Sequence, residues 1–557
     1  MSSEPSLIPS QHNAIEHLGD FTTTTRVLPI GALAICIGVF AAYIAAALLR
    51  LINFFTNLFF FQRFSIEAAS PAANHLGGWV VLVPIAGAFV VGILARYGSE
   101  KIRGHGIPEA IEAILMKQSR VEPKVAVLKP VSAAISIGSG GPFGAEGPII
   151  MTGGAFGSLI AQFFHLTAAE RKTLLVAGAA AGMSATFAAP VASVVLAVEL
   201  LLFEWKPRSV IPVALASVTA AAARRHILGL GPLFPVPAHP AFIGWEGLFG
   251  CVVVGLLAGG LSALLTAGVY AAEDAFQRLP IHWMWWPAIG GAIIGVGGLV
   301  FPQALGVGYD VIGGLLQANP SMHIILGVLI VKSSIWALSL GSGTSGGVLA
   351  PLLMMGAALG GLEASFLPFE GAGFWPLVSM GAILGGTMRA PLTGVVFALE
   401  LTHDVNMLLP LLLAVTIAHG FTVLTLKRSI LTEKISRRGF HLSREYSMDP
   451  LEIIFAREVV RQVAPNVLAD ARSHGVIAYE DEPLRIVAYR MAEKELTRLP
   501  VLSRADHKTT GVIELSDLLT ARSRVLDAEQ RRERTLGTRA HLRAIAALFG
   551  GDRRRSA

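Results

Sequence analysis

Between Val27 and Leu426 charged side chains are sparse, and long apolar stretches follow one another with little interruption. This feature limits what the chain can fold into more than any motif does. A bilayer core takes roughly 20 apolar residues per helix, and the stretches 28–49, 79–95, 248–271, 322–340 and 408–426 approach or exceed that length. Of the 557 residues, 53% are hydrophobic and only 15% charged, against about 25% charged in a soluble domain. Lys and Arg gather after Lys427. The expected protein is therefore a multi-pass membrane region followed by a soluble tail. Positive residues near membrane ends stay in the cytoplasm, so both termini are expected there. The polar stretch from Met1 to Arg26 has no basic segment leading into a short apolar core, so the first apolar stretch is expected to be a retained helix.

The same numbers exclude several functions. A net charge of +6 follows from topology, and no recognition module for nucleic acid appears. The 2 cysteines, Cys36 and Cys251, lie in apolar stretches and are expected as small buried residues. They support neither a disulfide framework nor a metal site, and no cofactor is expected. His-Glu-x-x-His is absent and no other motif supports catalysis, so an enzyme is not expected.

The membrane region is duplicated. Gly144-Ala-Glu-Gly-Pro148 and Gly347-Val-Leu-Ala-Pro351 align without a gap, with prolines 351 − 148 = 203 residues apart. Downstream, Ala189-Pro190 leads to Glu199, and Ala390-Pro391 leads to Glu400, with prolines 391 − 190 = 201 apart. Duplicated membrane units put their binding site at the repeat interface, in interrupted helices. Proline suits the first turn of a helix, where its missing N–H costs nothing. Both stretches therefore read as helix starts within the membrane, where unpaired amides and the positive dipole end favour an anion.

Four ordered motifs in this region resemble the CLC family of chloride channels and chloride/proton exchangers, over roughly 28–431. They are Gly104-His-Gly-Ile-Pro108, Gly144-Ala-Glu-Gly-Pro148, Gly347-Val-Leu-Ala-Pro351 and the stretch around Ser429-Ile-Leu-Thr-Glu433, similar to the end of the family's last membrane helix. The resemblance implies an all-α polytopic membrane domain of two inverted repeats at 27–431, in a homodimer with one pore per subunit. It implies Glu146 as the gating glutamate, whose carboxylate competes with the anion, and His105, Gly106, Ile107, Gly147, Val348 and Leu349 as anion-binding positions. Leu431 falls where a pore-lining tyrosine is usual. His105 replaces a serine, Leu349 a phenylalanine and Leu200 the internal proton-accepting glutamate, with Glu199 one residue earlier as the remaining candidate for a proton path.

The residues themselves weigh these roles. The second repeat starts its helix with Leu349 where the first has Glu146, so a helix start needs no carboxylate there, and an ionisable residue at membrane depth is functional by default. Glu199 and Glu400 are shared by both repeats, which favours a structural role near a helix end. His105 either contacts the anion or gates by protonation, and both readings predict acid-favoured transport. The expected function is transport of a small anion, chloride first, leaning to a pH-sensitive passive channel; the alternative is a chloride/proton antiporter with a non-standard internal proton path.

Beyond the membrane region the composition changes. After a linker at 432–449, residues 450–524 alternate short strands (476–479, 499–502) with an amphipathic helix at 484–494 and a second helix after Asp517. This resembles a single CBS motif, a small cytoplasmic α/β regulatory unit that works in pairs, here across the dimer. The family's nucleotide pattern has Ser or Thr where Glu514 stands but keeps Asp517, so dimer packing is favoured over nucleotide binding. Residues 1–26 form an N-terminal segment and 525–557 a basic tail.

Overall fold

The computed structural model describes residues 23–317, 320–439, 449–462, 475–506 and 508–530. The segment 1–22, half of the expected linker (440–448) and the tail beyond 530 lie outside the described residues.

The first repeat runs α1 (Val27–Phe61), α2 (Leu82–Tyr97), α3 (Ile107–Met116), α4 (Pro123–Gly138), α5 (Glu146–Gln162), α6 (Ala168–Phe187), α7 (Pro190–Ala197) and α8 (Pro207–Ile227). The second runs α9 (Trp245–Gln277), α10 (Trp286–Val300), α11 (Tyr309–Gln317), α12 (Met322–Leu326), α13 (Ser333–Gly341), α14 (Leu349–Glu363), α15 (Phe374–Met388), α16 (Pro391–Thr402) and α17 (Leu408–Thr425). A π-helical stretch, Gly327–Lys332, joins α12 to α13, so together they match α4. Packing is duplicated as well: α5 lies on α6 as α14 lies on α15, and α1 on α8 as α9 on α17. Helices α2 and α10, and likewise α7 and α16, pack on their own repeat-mates. A twofold relation between the halves accounts for these self-paired contacts.

Among the described residues, six helical segments are long and apolar enough to cross a membrane, including Val27–Phe61, Trp245–Gln277 and Met322–Gly341. Close approach between helices rests on small residues; a side chain at Gly153 on α5 would meet the Gly178 carbonyl of α6. Cys251 on α9 is buried, as expected, but Cys36 is exposed, because it falls on the outward face of α1.

The stretch around Ser429 is not the end of a long helix. Helix α17 stops at Thr425, and Ser429 caps a separate short helix, α18 (Ile430–Arg437), by accepting from the Thr432 amide at 3.3 Å. Ser and Thr at this position compete with a continuing helix by bonding the backbone locally.

The C-terminal unit contains α19 (Pro450–Ile453), β1 (Ala478–Tyr479), α20 (Leu484–Glu493), β2 (Arg498–Leu502), β3 (Thr509–Glu514) and α21 (Leu515–Gln530). Its sheet order is β1-β2-β3, with β1 parallel and β3 antiparallel to β2. Leu484, Val487, Leu499, Val501 and Ile513 form its core. The strands and helices expected from the sequence are present, with β1 shortened to two residues.

Candidate functional site

The two duplicated motifs meet directly. Gly144 N–H donates to the Gly347 carbonyl at 3.1 Å, and Gly347 N–H donates to Gly144 at 2.8 Å. These residues are repeat-mates (347 − 144 = 203), and an antiparallel pair of equivalent residues is what a twofold between inverted halves produces. Two residues further on in each chain direction, α5 and α14 begin. The first motif joins them: Gly104 forms a parallel bridge with Ser345, and a Cβ on Gly106 would meet the Gly147 carbonyl at 2.6 Å. Gly104 (φ 78°) and Gly106 (φ 91°) hold left-handed backbone that only glycine adopts without cost. Helices α3, α5 and α14 therefore present their positive ends to one small region.

Most of the expected anion-binding positions fall in this region. Ile107 and Leu349 are the fully buried first residues of α3 and α14, Gly147 is the second residue of α5, and Val348 directly precedes α14. Glu146 opens α5 with 0% exposure. Its Oε1 accepts the Ala350 amide of α14 at 3.0 Å, and its Oε2 has no hydrogen-bond partner among the described residues. The carboxylate thus occupies the place where backbone amides would receive an anion.

A cavity of 760 Å³ reaches the other side of the junction, lined in part by Arg103, His105, Glu109, Tyr270 and Lys434. His105 is 4% exposed and its Nδ1 has no hydrogen-bond partner among the described residues. Glu109 accepts the Gly106 amide at 2.9 Å and the Lys434 ammonium at 2.7 Å, which fastens α18 to the start of α3. Arg103 lies over the Trp283 ring at 4.5 Å. Leu431 is buried in the first turn of α18, and the neighbouring Ile430 carbonyl accepts from Tyr270 Oη at 2.5 Å.

Glu199 stands apart from this cluster. Its carboxylate accepts the Leu392 and Thr393 amides at 3.1 and 2.9 Å, capping α16. Glu400 accepts the Val191 and Ala192 amides at 3.0 and 2.7 Å, capping α7. Each repeat thus caps a helix of the other. Leu200, beside Glu199, is fully buried in the π-helical stretch Val198–Leu202.

Sequence reasoning missed two lysines. Lys129 and Lys332 are both 0% exposed. Lys129 Nζ donates to the Ile102 and Gly104 carbonyls at 2.8 and 2.7 Å, and Lys332 Nζ to the Ala304 and Gly306 carbonyls at 2.9 and 2.7 Å. Neither forms an ion pair with a carboxylate among the described residues. Their spacing, 332 − 129 = 203, equals that of the motif prolines and was the available signal. A buried ammonium held by carbonyls fixes the loops that lead into α3 and α11 and adds positive potential to both.

A duplicated helical membrane domain whose helix starts converge on a buried carboxylate is the architecture of a multi-pass anion transporter. The comparisons are specific. The model described as "Voltage gated chloride channel" matches residues 86–423, and the chain belongs to that family. A CBS domain model matches residues 467–524. A putative chloride channel protein ClcB-like of Ralstonia nicotianae is 31% identical over 353 residues, covering 61% of this chain and 82% of the relative. An H(+)/Cl(-) exchange transporter ClcA of Klebsiella pneumoniae is 30% identical over 414 residues, covering 69% and 84%. Among solved structures, a slow cyanobacterial Cl⁻/H⁺ antiporter aligns with a TM-score of 0.66 at 23% identity, covering 75% of this chain and 99% of that one. A CLC-type fluoride/proton antiporter gives 0.63 at 19%, covering 74% and 98%. At these identities the solved structures establish the fold.

Proposed function

We propose that this membrane protein exchanges chloride for protons, with Glu146 as the group that couples them. The hydrogen bond from the Ala350 amide to Glu146 Oε1 carries this reading. An ionised Glu146 fills the amide-lined site as an anion does; a protonated one is a poorer acceptor and yields the site. Proton and anion therefore exclude each other at one position. The sequence leaned to a passive channel because Leu200 and Leu431 replace two family side chains. The relatives named as exchange transporters favour the antiporter instead. With Glu199 bonded to the amides of α16, the internal proton path is non-standard and runs from the cavity at His105.

Chloride is the proposed anion, bound at His105, Gly106, Ile107, Gly147, Val348 and Leu349, with Leu431 lining the inner approach. The protein works as a homodimer in a bacterial inner membrane with both termini cytoplasmic. The division into a transport domain at 27–431, a linker at 432–449 and a regulatory unit at 450–524 is proposed with one change: the first linker residues, 432–437, belong to α18 and so to the transport domain. That unit serves dimer packing and not nucleotide binding, since Asp517 already accepts the Glu514 amide at 2.9 Å and pairs with Arg461.

The test is reversal potential in reconstituted membranes under a pH gradient. A reversal potential that follows the chloride gradient alone would sink exchange and restore the channel.

A further inference from the structure

The pathway lacks the hydroxyls usual in the resemblance, since His105 and Leu431 stand in their places, yet an unused hydroxyl lies on the other side of the junction. Tyr309 opens α11, the repeat-mate of α3. Gly306-Val-Gly-Tyr309 corresponds to Gly104-His-Gly-Ile107, 306 − 104 = 202 residues away, and Lys332 grips the Gly306 carbonyl as Lys129 grips that of Gly104. Gly308 sits against Met354 on α14, one turn beyond the Ala350 amide that Glu146 uses. Tyr309 lies within electrostatic reach of Glu146.

The ring is fixed and the hydroxyl is not. Phe187 meets the Tyr309 ring edge-on at 6.4 Å between centroids, and Phe234 lies at 6.1 Å. Tyr309 Oη is buried with no hydrogen-bond partner among the described residues, as is Glu146 Oε2. A phenol is a donor, and leaving it unbonded in an apolar setting costs free energy that a bound acceptor recovers. Two unsatisfied polar atoms beside one amide-lined site call for a shared third partner, or for each other.

We propose that the Tyr309 hydroxyl is a side-chain ligand at the Glu146 end of the anion path, donating to the bound anion when the carboxylate withdraws. This rests on the reading of Glu146 as an occupant of the anion site. It assigns to the second repeat a hydroxyl that the first repeat and α18 do not supply.

The experiment is chloride titration calorimetry on the purified full-length protein, comparing wild type, Glu146→Ala, and Glu146→Ala with Tyr309→Phe. Glu146→Ala is expected to bind more chloride than wild type, and removing the hydroxyl in that background to weaken binding roughly tenfold with an unchanged melting temperature. Equal affinity with and without the hydroxyl overturns the assignment. Equal binding by wild type and Glu146→Ala sinks the gate reading but leaves the Tyr309 comparison readable. If the Phe variant does not fold, a chloride-dependent tyrosine ultraviolet difference signal in Glu146→Ala reports the same contact, and its absence rejects the proposal.

Discussion

Glu146 opens α5 and caps α14: its Oε1 accepts the Ala350 amide at 3.0 Å, so a side chain of one repeat occupies the helix start of the other. Protonation weakens that acceptor and releases the amide. Transport by the wild type is therefore expected to rise as pH falls. Glu146→Gln is expected to keep chloride flux, lose proton movement and flatten the pH response, read by chloride and pH electrodes on proteoliposomes. Unchanged proton coupling in that variant removes Glu146 from its role.

His105 is a further titratable group beside the proposed path: it lines the cavity, and its buried Nδ1 has no hydrogen-bond partner among the described residues. A protonated ring attracts an anion and a neutral one attracts it less. Combining His105→Ser with Glu146→Gln is expected to abolish the remaining acid activation. Activation that persists in the double variant removes both assignments.

Lys129 and Lys332 predict matched defects. Substituting either by Met leaves two buried carbonyls without a donor and removes a positive charge from the approach to a helix start. Each lost donor costs about 1–3 kcal/mol. Lower melting temperatures are expected for both, with Lys129→Met also weakening chloride binding in calorimetry. Wild-type stability in either variant would contradict the bonding described.

Glu199 and Glu400 predict equivalence. Each caps a helix of the opposite repeat through two amides, so Glu199→Gln and Glu400→Gln are each expected to cost about 1–2 kcal/mol by analogy with cap removal. Neither is expected to change the proton-to-chloride ratio. A coupling defect confined to Glu199→Gln would return that residue to the proton path.

Much of this architecture is legible in the order of residues. Paucity of charge implies spans because an unpaired charge in hydrocarbon is expensive. Gly144–Pro148 and its copy at Gly347 mark helix starts because proline and glycine have few other uses at such positions. The asymmetry between Glu146 and Leu349 singles out a carboxylate with no role in starting a helix. The CBS-like unit is visible through its alternation of short strands and an amphipathic helix.

What no local pattern contains is who faces whom. The stretch around Ser429, similar in sequence to the end of the family's last membrane helix, begins a short separate helix, since the Ser429 hydroxyl caps α18. Two lysines in apolar stretches, a tyrosine hydroxyl with no partner among the described residues, and glutamates that cap helices about 200 residues away acquire meaning only when the halves meet. Sequence alone determined a duplicated membrane domain with buried helix starts and one unmatched carboxylate, because hydropathy and backbone preference act over a few residues. Tertiary structure decided which amide that carboxylate takes, since a hydrogen bond between repeats depends on distances that the folded halves alone establish.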